Sequence, residues 1–142
     1  MLLVAAAVTA ACDAVYFARI DVGSFEGQAD TADALSSEER DRCVAVFAAT
    51  AKEFGLDCHE SKYPIITGSY DSELYHLTEC QEPEGLTQVQ LAVGPHHMSV
   101  ELQDIAGLRE PESFRRYRIG FSERLQKECG EDKVTVRYPY QW

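Results

Sequence analysis

Cysteine and histidine are the residues of this 142-residue sequence whose chemistry is most informative. The sequence contains five cysteines and four histidines. A thiol can accept a lipid, pair in a disulfide or bind zinc, and an imidazole can bind a metal or transfer a proton. Cys12 directly follows an apolar segment, and the remaining cysteines are spread along the chain: Cys43, Cys58, Cys80 and Cys129.

Residues 2–11 form the apolar segment in front of Cys12. All of them are apolar except Thr9. This length fits the apolar region of an export signal, about 7 to 15 residues, and is too short for a membrane-spanning helix. The pattern predicts a signal peptide over residues 1–11. The alternatives are an ordinary cleaved signal without a lipid and a buried strand or helix of the folded chain.

The sequence Val8-Thr9-Ala10-Ala11-Cys12 places small residues before a cysteine and resembles the lipobox of bacterial lipoproteins. In that family the thiol is diacylated, the signal is cut before the cysteine, and the new amino terminus is acylated. The resemblance implies that Cys12 is the lipidated first residue of the mature chain. It also implies a membrane anchor in the cell envelope, with the domain facing the periplasm. Thr9 stands where the family usually has Leu, and no Lys or Arg precedes the apolar segment.

The residue after the cysteine bears on sorting between the two envelope membranes. Asp13 at this position resembles the inner-membrane retention signal of enteric lipoproteins. That rule does not transfer to all bacteria, so the inner and the outer membrane both stay open.

Four cysteines remain once Cys12 is assigned to the lipid. In an oxidising compartment four cysteines can form two disulfides, with three connectivities. No C-x-x-C pair is present, and structural zinc sites usually need such spacing. A zinc site and reduced, buried cysteines of a cytosolic protein are the alternatives.

Two helices are predicted. Ser36 followed by Glu39 is a capping-box pattern, and apolar residues then recur at helical spacing until Gly55, which predicts a helix over about residues 37–54. Glu110-Pro111 begins a second apolar pattern that ends at Cys129-Gly130.

Alternating segments predict the strands. Residues 89–93 and 98–102 alternate around Gly94-Pro95-His96-His97 and predict an antiparallel hairpin. Residues 74–80 and 133–138 predict two more strands. Residues 16–22 are either a strand or a tether, residues 23–35 a loop or linker, and a short strand near Cys58 is optional.

The order of elements predicts an α+β fold. We expect a lipidated amino terminus with a candidate first strand and linker over residues 12–35, followed by a single domain over residues 36–142. The domain is expected to be a two-layer sandwich, ferredoxin-like or related, with two helices on one face of an antiparallel sheet. In this topology antiparallel helices should bring Cys43 beside Cys129, and neighbouring strands should bring Cys58 beside Cys80, so we expect the disulfides Cys43–Cys129 and Cys58–Cys80.

His96-His97 is the most obvious candidate for metal binding. Adjacent residues on a hairpin point to opposite sides, so exposure at the hairpin tip is the expectation for both histidines. The basic sequence at residues 115–118 has two interpretations. It binds a carboxylate or an anionic lipid headgroup, or it forms the solvent-exposed face of a helix. No G-x-S-x-G elbow or phosphate-binding glycine loop occurs.

The composition also limits the function. A net charge of -11 makes nucleic acid an unsuitable partner. We therefore expect a non-catalytic envelope lipoprotein that binds a protein or a small ligand, with no catalytic residue, cofactor or metal assigned. The alternatives are a catalytic, hydrolytic envelope protein and a metal-handling protein that uses His96 and His97.

Overall fold

The computed structural model describes residues 15–23, 32, 34–60, 76–105 and 109–139. Its elements are β1 (Val15–Gly23), α1 (Ser37–Glu53), β2 (Asp57–Glu60), β3 (His76–Gln81), β4 (Gln88–Val93), β5 (His97–Ile105), α2 (Glu112–Cys129) and β6 (Val134–Arg137). A 3-10 turn, Glu131–Lys133, precedes β6. The predicted signal peptide and Cys12 lie outside the described residues.

The described strands form one antiparallel sheet in the order β2-β3-β4-β5-β1-β6. The prediction of an α+β fold with two helices and an antiparallel sheet is confirmed. β1 pairs with β5 on one side and with β6 on the other, so residues 16–22 are an inner strand and not a tether. The meander of β2 to β5 between the helices contains the optional strand near Cys58. It makes the topology a relative of the ferredoxin-like fold with a longer sheet.

Local sequence signals account for the helix ends. The Ser36 hydroxyl accepts a hydrogen bond from the Glu39 N–H, and the Glu39 carboxylate accepts one from the Ser36 N–H, both at 3.1 Å. α1 ends before Gly55, whose φ of +70° suits a residue without a Cβ. α2 follows Pro111 and ends at Cys129. Both predicted helices are confirmed to within two residues at each end.

The core lies between the sheet and the two helices. Alternate residues of β1 and β5 point into it, among them Ile20 and Val100, which are fully buried. Phe47 of α1 stacks on Phe121 of α2, with ring centres 5.1 Å apart. The aromatic pair shows that the helices pack on each other as well as on the sheet.

Both predicted disulfides are confirmed. Cys43 in α1 is bonded to Cys129 at the end of α2, with a Cα–Cα distance of 5.9 Å. Cys58 and Cys80 face each other directly in the β2–β3 ladder, with a Cα–Cα distance of 4.0 Å. One bond therefore joins the two helices and the other fixes the edge strand β2 to the sheet.

The expected exposure of the β4–β5 turn is wrong for His97. His97 is only 3% exposed, and His96 is half-buried. The segment that leads into α1 lies over the turn: the Leu35 N–H donates to the His96 carbonyl at 2.8 Å, and the Arg40 guanidinium donates to the Pro95 carbonyl at 3.1 Å. These contacts join positions about 60 residues apart, which the local sequence pattern does not reveal.

Candidate functional site

A cleft of about 520 Å³ opens between α1 and the strands β2 to β4. This volume lies within the range of small-molecule sites, about 300 to 1,000 Å³. Most of the lining is apolar or small, and the residues are Val44, Phe47, Ala48, Ala51, Lys52, Gly55, Leu56, Asp57, Cys58, Thr78 and Leu91. The cleft can therefore receive a group with an apolar body.

The position of the cleft follows from how the helices cover the sheet. α2 contacts β1, β5 and β6, whereas α1 contacts β2 and β5. Two helices are too few to cover six strands, so the side of α1 that faces β2 and β3 has no further helix against it among the described residues. Ala48 and Ala51 line this side of α1, and their short side chains leave the space that a larger residue would fill.

One wall of the cleft is covalently fixed. Cys58 lines the cleft, and its bond to Cys80 holds β2 against β3. β2 has only four residues, all of them exposed. A strand so short makes few ladder hydrogen bonds, so the disulfide keeps this wall in place.

Polar groups of three kinds accompany the apolar lining. Lys52 and Asp57 are exposed and bring an ammonium and a carboxylate, and the half-buried Thr78 brings a hydroxyl. Ligand sites commonly combine an apolar lining with a few polar groups that orient the ligand. A molecule with an apolar body and a polar end would suit this arrangement.

A second groove, of about 760 Å³, runs along the first half of α2. It includes Arg115 and Arg116 of the basic cluster, and the Arg116 guanidinium lies 6.0 Å from the centre of the Phe54 ring. Arg118 points elsewhere: it pairs with Glu110 at 3.0 Å. Arg115 and Arg116 thus line the groove, whereas Arg118 forms an ion pair within the fold, so the three guanidinium groups do not form one surface.

Buried charges occupy the sheet face that points away from α1 and α2. We call this the polar face; its buried polar residues among those described include Arg19, Asp21, Glu79, Gln90, Ser99 and Glu101. The Arg19 guanidinium donates to Asp21 at 2.8 Å and to Glu101 at 3.2 Å. Asp21 is also 3.4 Å from the Arg137 guanidinium. These pairs join β5, β1 and the edge strand β6.

Glu101 is the most perturbed group of the polar face. Burial raises the pKa of its carboxyl to about 7; the Arg19 guanidinium lowers it, and the Asp21 carboxylate raises it further. A shifted carboxyl can act as a general acid or base when substrate can reach it. Glu101 is only 5% exposed and lines neither of the two clefts, so we assign its shift to the fold and not to catalysis.

A histidine and a carboxylate meet at the edge of the polar face. His59 Nε2 lies 3.1 Å from Glu79 Oε2, and the two residues are partners in the β2–β3 ladder. Such a pair is one part of a hydrolytic site. The His59 side chain is 70% exposed, and neither cleft is lined by His59 or Glu79. Neither of these two clefts therefore brings a substrate to the pair.

The histidines singled out in the sequence do not converge on one point. The His96 ring lies 3.2 Å from the Leu35 carbonyl oxygen, while His97 is buried. In the part of the chain that the structure describes, no three His, Cys, Asp or Glu side chains are grouped as metal ligands. In that same part, no helix combines the length and apolar character needed to cross a membrane.

The sequence predicted the cysteine pairs but neither the cleft nor the buried charges. The charges had a partial signal, because Arg19 and Asp21 alternate with the core residues of β1. That alternation marks a strand with a polar side and does not reveal its burial. The cleft had no such signal, because it depends on where α1 packs.

No protein-family model matches the chain, and no curated protein matches it either.

Proposed function

We propose that this protein is a lipid-anchored, non-catalytic binding module of the bacterial cell envelope. The anchor is Cys12, and the domain faces the periplasm. Support for this location comes from the lipobox-like residues before Cys12 and from two disulfides, which persist in oxidising compartments and are rare in the cytosol.

The observation that carries the binding function is the cleft between α1 and β2 to β4. It combines a volume of about 520 Å³ with an apolar lining and a wall fixed by Cys58–Cys80. A preformed cavity of this kind binds ligand at a lower entropic cost than one that must be assembled. We infer a small ligand with an apolar body, whose polar end contacts Lys52, Asp57 or Thr78.

The test uses an apolar fluorescent probe, N-phenyl-1-naphthylamine, and the oxidised chain from residue 13 onward. We expect saturable binding of one probe per chain. Ala48→Phe should weaken it at least tenfold, because Ala48 is exposed and lines the cleft, so that a larger side chain fills the cavity without disturbing the core.

Ala49→Phe is the matched control. Ala49 is also exposed in α1 but points about 100° away around the helix and does not line the cleft. The Ala49→Phe variant should bind the probe with the same affinity as the unmodified chain. Equal weakening by both substitutions, or no saturable binding by the unmodified chain, would contradict the proposal.

The hydrolytic alternative has one observation in its favour, the contact between His59 and Glu79. It predicts ester or amide hydrolysis that His59→Ala abolishes. The metal-handling alternative predicts that the protein binds a metal ion in a titration and that His96→Ala or His97→Ala abolishes this binding. Neither cleft is lined by His59 and Glu79 or by His96 and His97. Both alternatives therefore rank below the binding function.

A further inference from the structure

Three exposed aliphatic residues lie side by side at one end of the polar face. Val15 and Ile105 are ladder partners, 43% and 51% exposed. Leu86, 63% exposed, lies two residues before Gln88, which pairs with Gln103, so continuing the β4–β5 register beyond the strand places Leu86 beside Ile105. We call these three residues the aliphatic row.

The row points to one side of the sheet. Strand side chains alternate, so Val15 and Ile105 share the face of Arg19 and Glu101. We infer the same side for Leu86, because it lies two residues before Gln88, which shares a face with Gln90. Farther along this face the polar side chains are buried, whereas the row is open to solvent. Neighbouring exposed aliphatics of this kind mark contact surfaces more often than scattered ones do.

The position of the proposed anchor identifies what covers the row. Only Asp13 and Ala14 separate Cys12 from Val15, and three residue steps span at most about 11 Å. The other end of β1, at Gly23, lies about 26 Å from Val15. A lipid on Cys12 would therefore keep the row near the bilayer surface and the other end of the sheet away from it.

We propose that the aliphatic row is a membrane-contact surface that enters the interface of the bilayer carrying the anchor. This inference rests on the proposed lipidation of Cys12. The contact is apolar and not electrostatic, since Glu82 and Glu84 stand in the same turn as Leu86 and the chain carries a net charge of -11. It should persist in uncharged phosphatidylcholine vesicles and at high salt.

The experiment uses the full lipidated chain with its single tryptophan removed by Trp142→Phe. Leu86→Trp and Ile105→Trp report on the row, and Glu131→Trp, exposed beyond the far end of α2, is the control. In phosphatidylcholine vesicles with brominated acyl chains, we expect at least twofold quenching of both row tryptophans. Glu131→Trp should be quenched by less than a tenth.

Flotation of the protein with the vesicles separates the two proposals. Protein that floats without quenching of either row tryptophan would retain the anchor and overturn the membrane contact. Equal quenching of row and control would overturn it too, because the domain would then have no fixed orientation. If the row tryptophans are shielded from solvent only in native membranes, a protein covers the aliphatic row, and the proposed lipid contact is wrong. Failure to float would overturn the anchor and the contact together.

Discussion

Glu101 has two carboxylate oxygens in different surroundings. Oε1 accepts a hydrogen bond from Arg19, whereas Oε2 is buried and has no hydrogen-bond partner among the described residues. A protonated carboxyl tolerates such burial better than an ionised one, in keeping with a pKa raised to about 7. The folded state therefore binds a proton that the unfolded chain releases near pH 4.5.

This proton makes stability depend on pH. Between pH 4.5 and about 7 the folded state binds more protons than the unfolded state, so the free energy of unfolding should fall as pH rises through this window and level off above it. The shift corresponds to at most about 3 kcal/mol. Glu101→Gln should be about as stable as the unmodified chain at pH 5 and more stable at pH 8, measured by urea unfolding.

Glu84→Gln is the control for this effect. Glu84 is exposed in the β3–β4 turn, so its substitution should leave the pH profile unchanged. A Glu101→Gln chain that loses stability between pH 5 and 8 as steeply as the unmodified protein would show that another group is responsible.

His97 gives a second prediction for a single residue. It is buried, and a Cβ placed on Gly94 would overlap its imidazole, so the ring packs against the turn backbone. His97→Ala should lower the free energy of unfolding by about 2 kcal/mol, because it leaves a cavity where the buried ring packs. His59→Ala, at a side chain that is 70% exposed, should change it by less than about 0.5 kcal/mol. Similar values for the two variants would contradict the burial of His97.

At the scale of elements, the capping box of Ser36 and Glu39 stabilises the start of α1. The Ser36 hydroxyl satisfies the Glu39 N–H, and Glu39 also pairs with Lys133 at 2.6 Å. The Lys133 hydrogen bond, followed by the Ser36 N–H, lowers the pKa of Glu39 to about 2. Ser36→Ala should cost about 1 kcal/mol in thermal unfolding. Ser37→Ala, one residue inside the helix, should be nearly neutral, and equal losses would show that the cap is not the source.

The two disulfides constrain elements to different extents. Cys43–Cys129 closes 86 residues and Cys58–Cys80 closes 22, so their chain-entropy contributions are about 4.5 and about 3 kcal/mol. Replacing the first pair by alanines should therefore destabilise the domain more than replacing the second. Urea unfolding of the two double variants measures this, and the reverse order would show that native packing outweighs loop closure.

Local patterns predicted the elements well, because helix caps and strand alternation are set by neighbouring residues. Ser36, Glu39 and Gly55 marked the ends of α1, and residues 89–93 and 98–102 marked the hairpin. The pairing of Cys43 with Cys129 followed once antiparallel helices were assumed. The contacts that cover the β4–β5 turn could not be predicted, because Leu35 and Arg40, which donate to its carbonyls, are far away in sequence.

For the whole molecule, the cleft and the proposed anchor lie apart. The cleft opens beside β2 at one edge of the sheet, and β1 is four strands away, about 19 Å across the sheet. An anchor just before β1 would leave the mouth of the cleft accessible from the periplasm. The domain could then bind its ligand while it remains attached to the membrane.

The lipid on Cys12 is the central claim for the whole molecule, and intact mass of the protein purified from membranes tests it most directly. We predict a chain that begins at Cys12 and carries the added mass of a diacylglyceryl group and an amide-linked acyl chain. Cys12→Ser should lack this mass and leave the membrane fraction. A chain that keeps residues 1–11, or one that begins after them without added mass, would contradict the account.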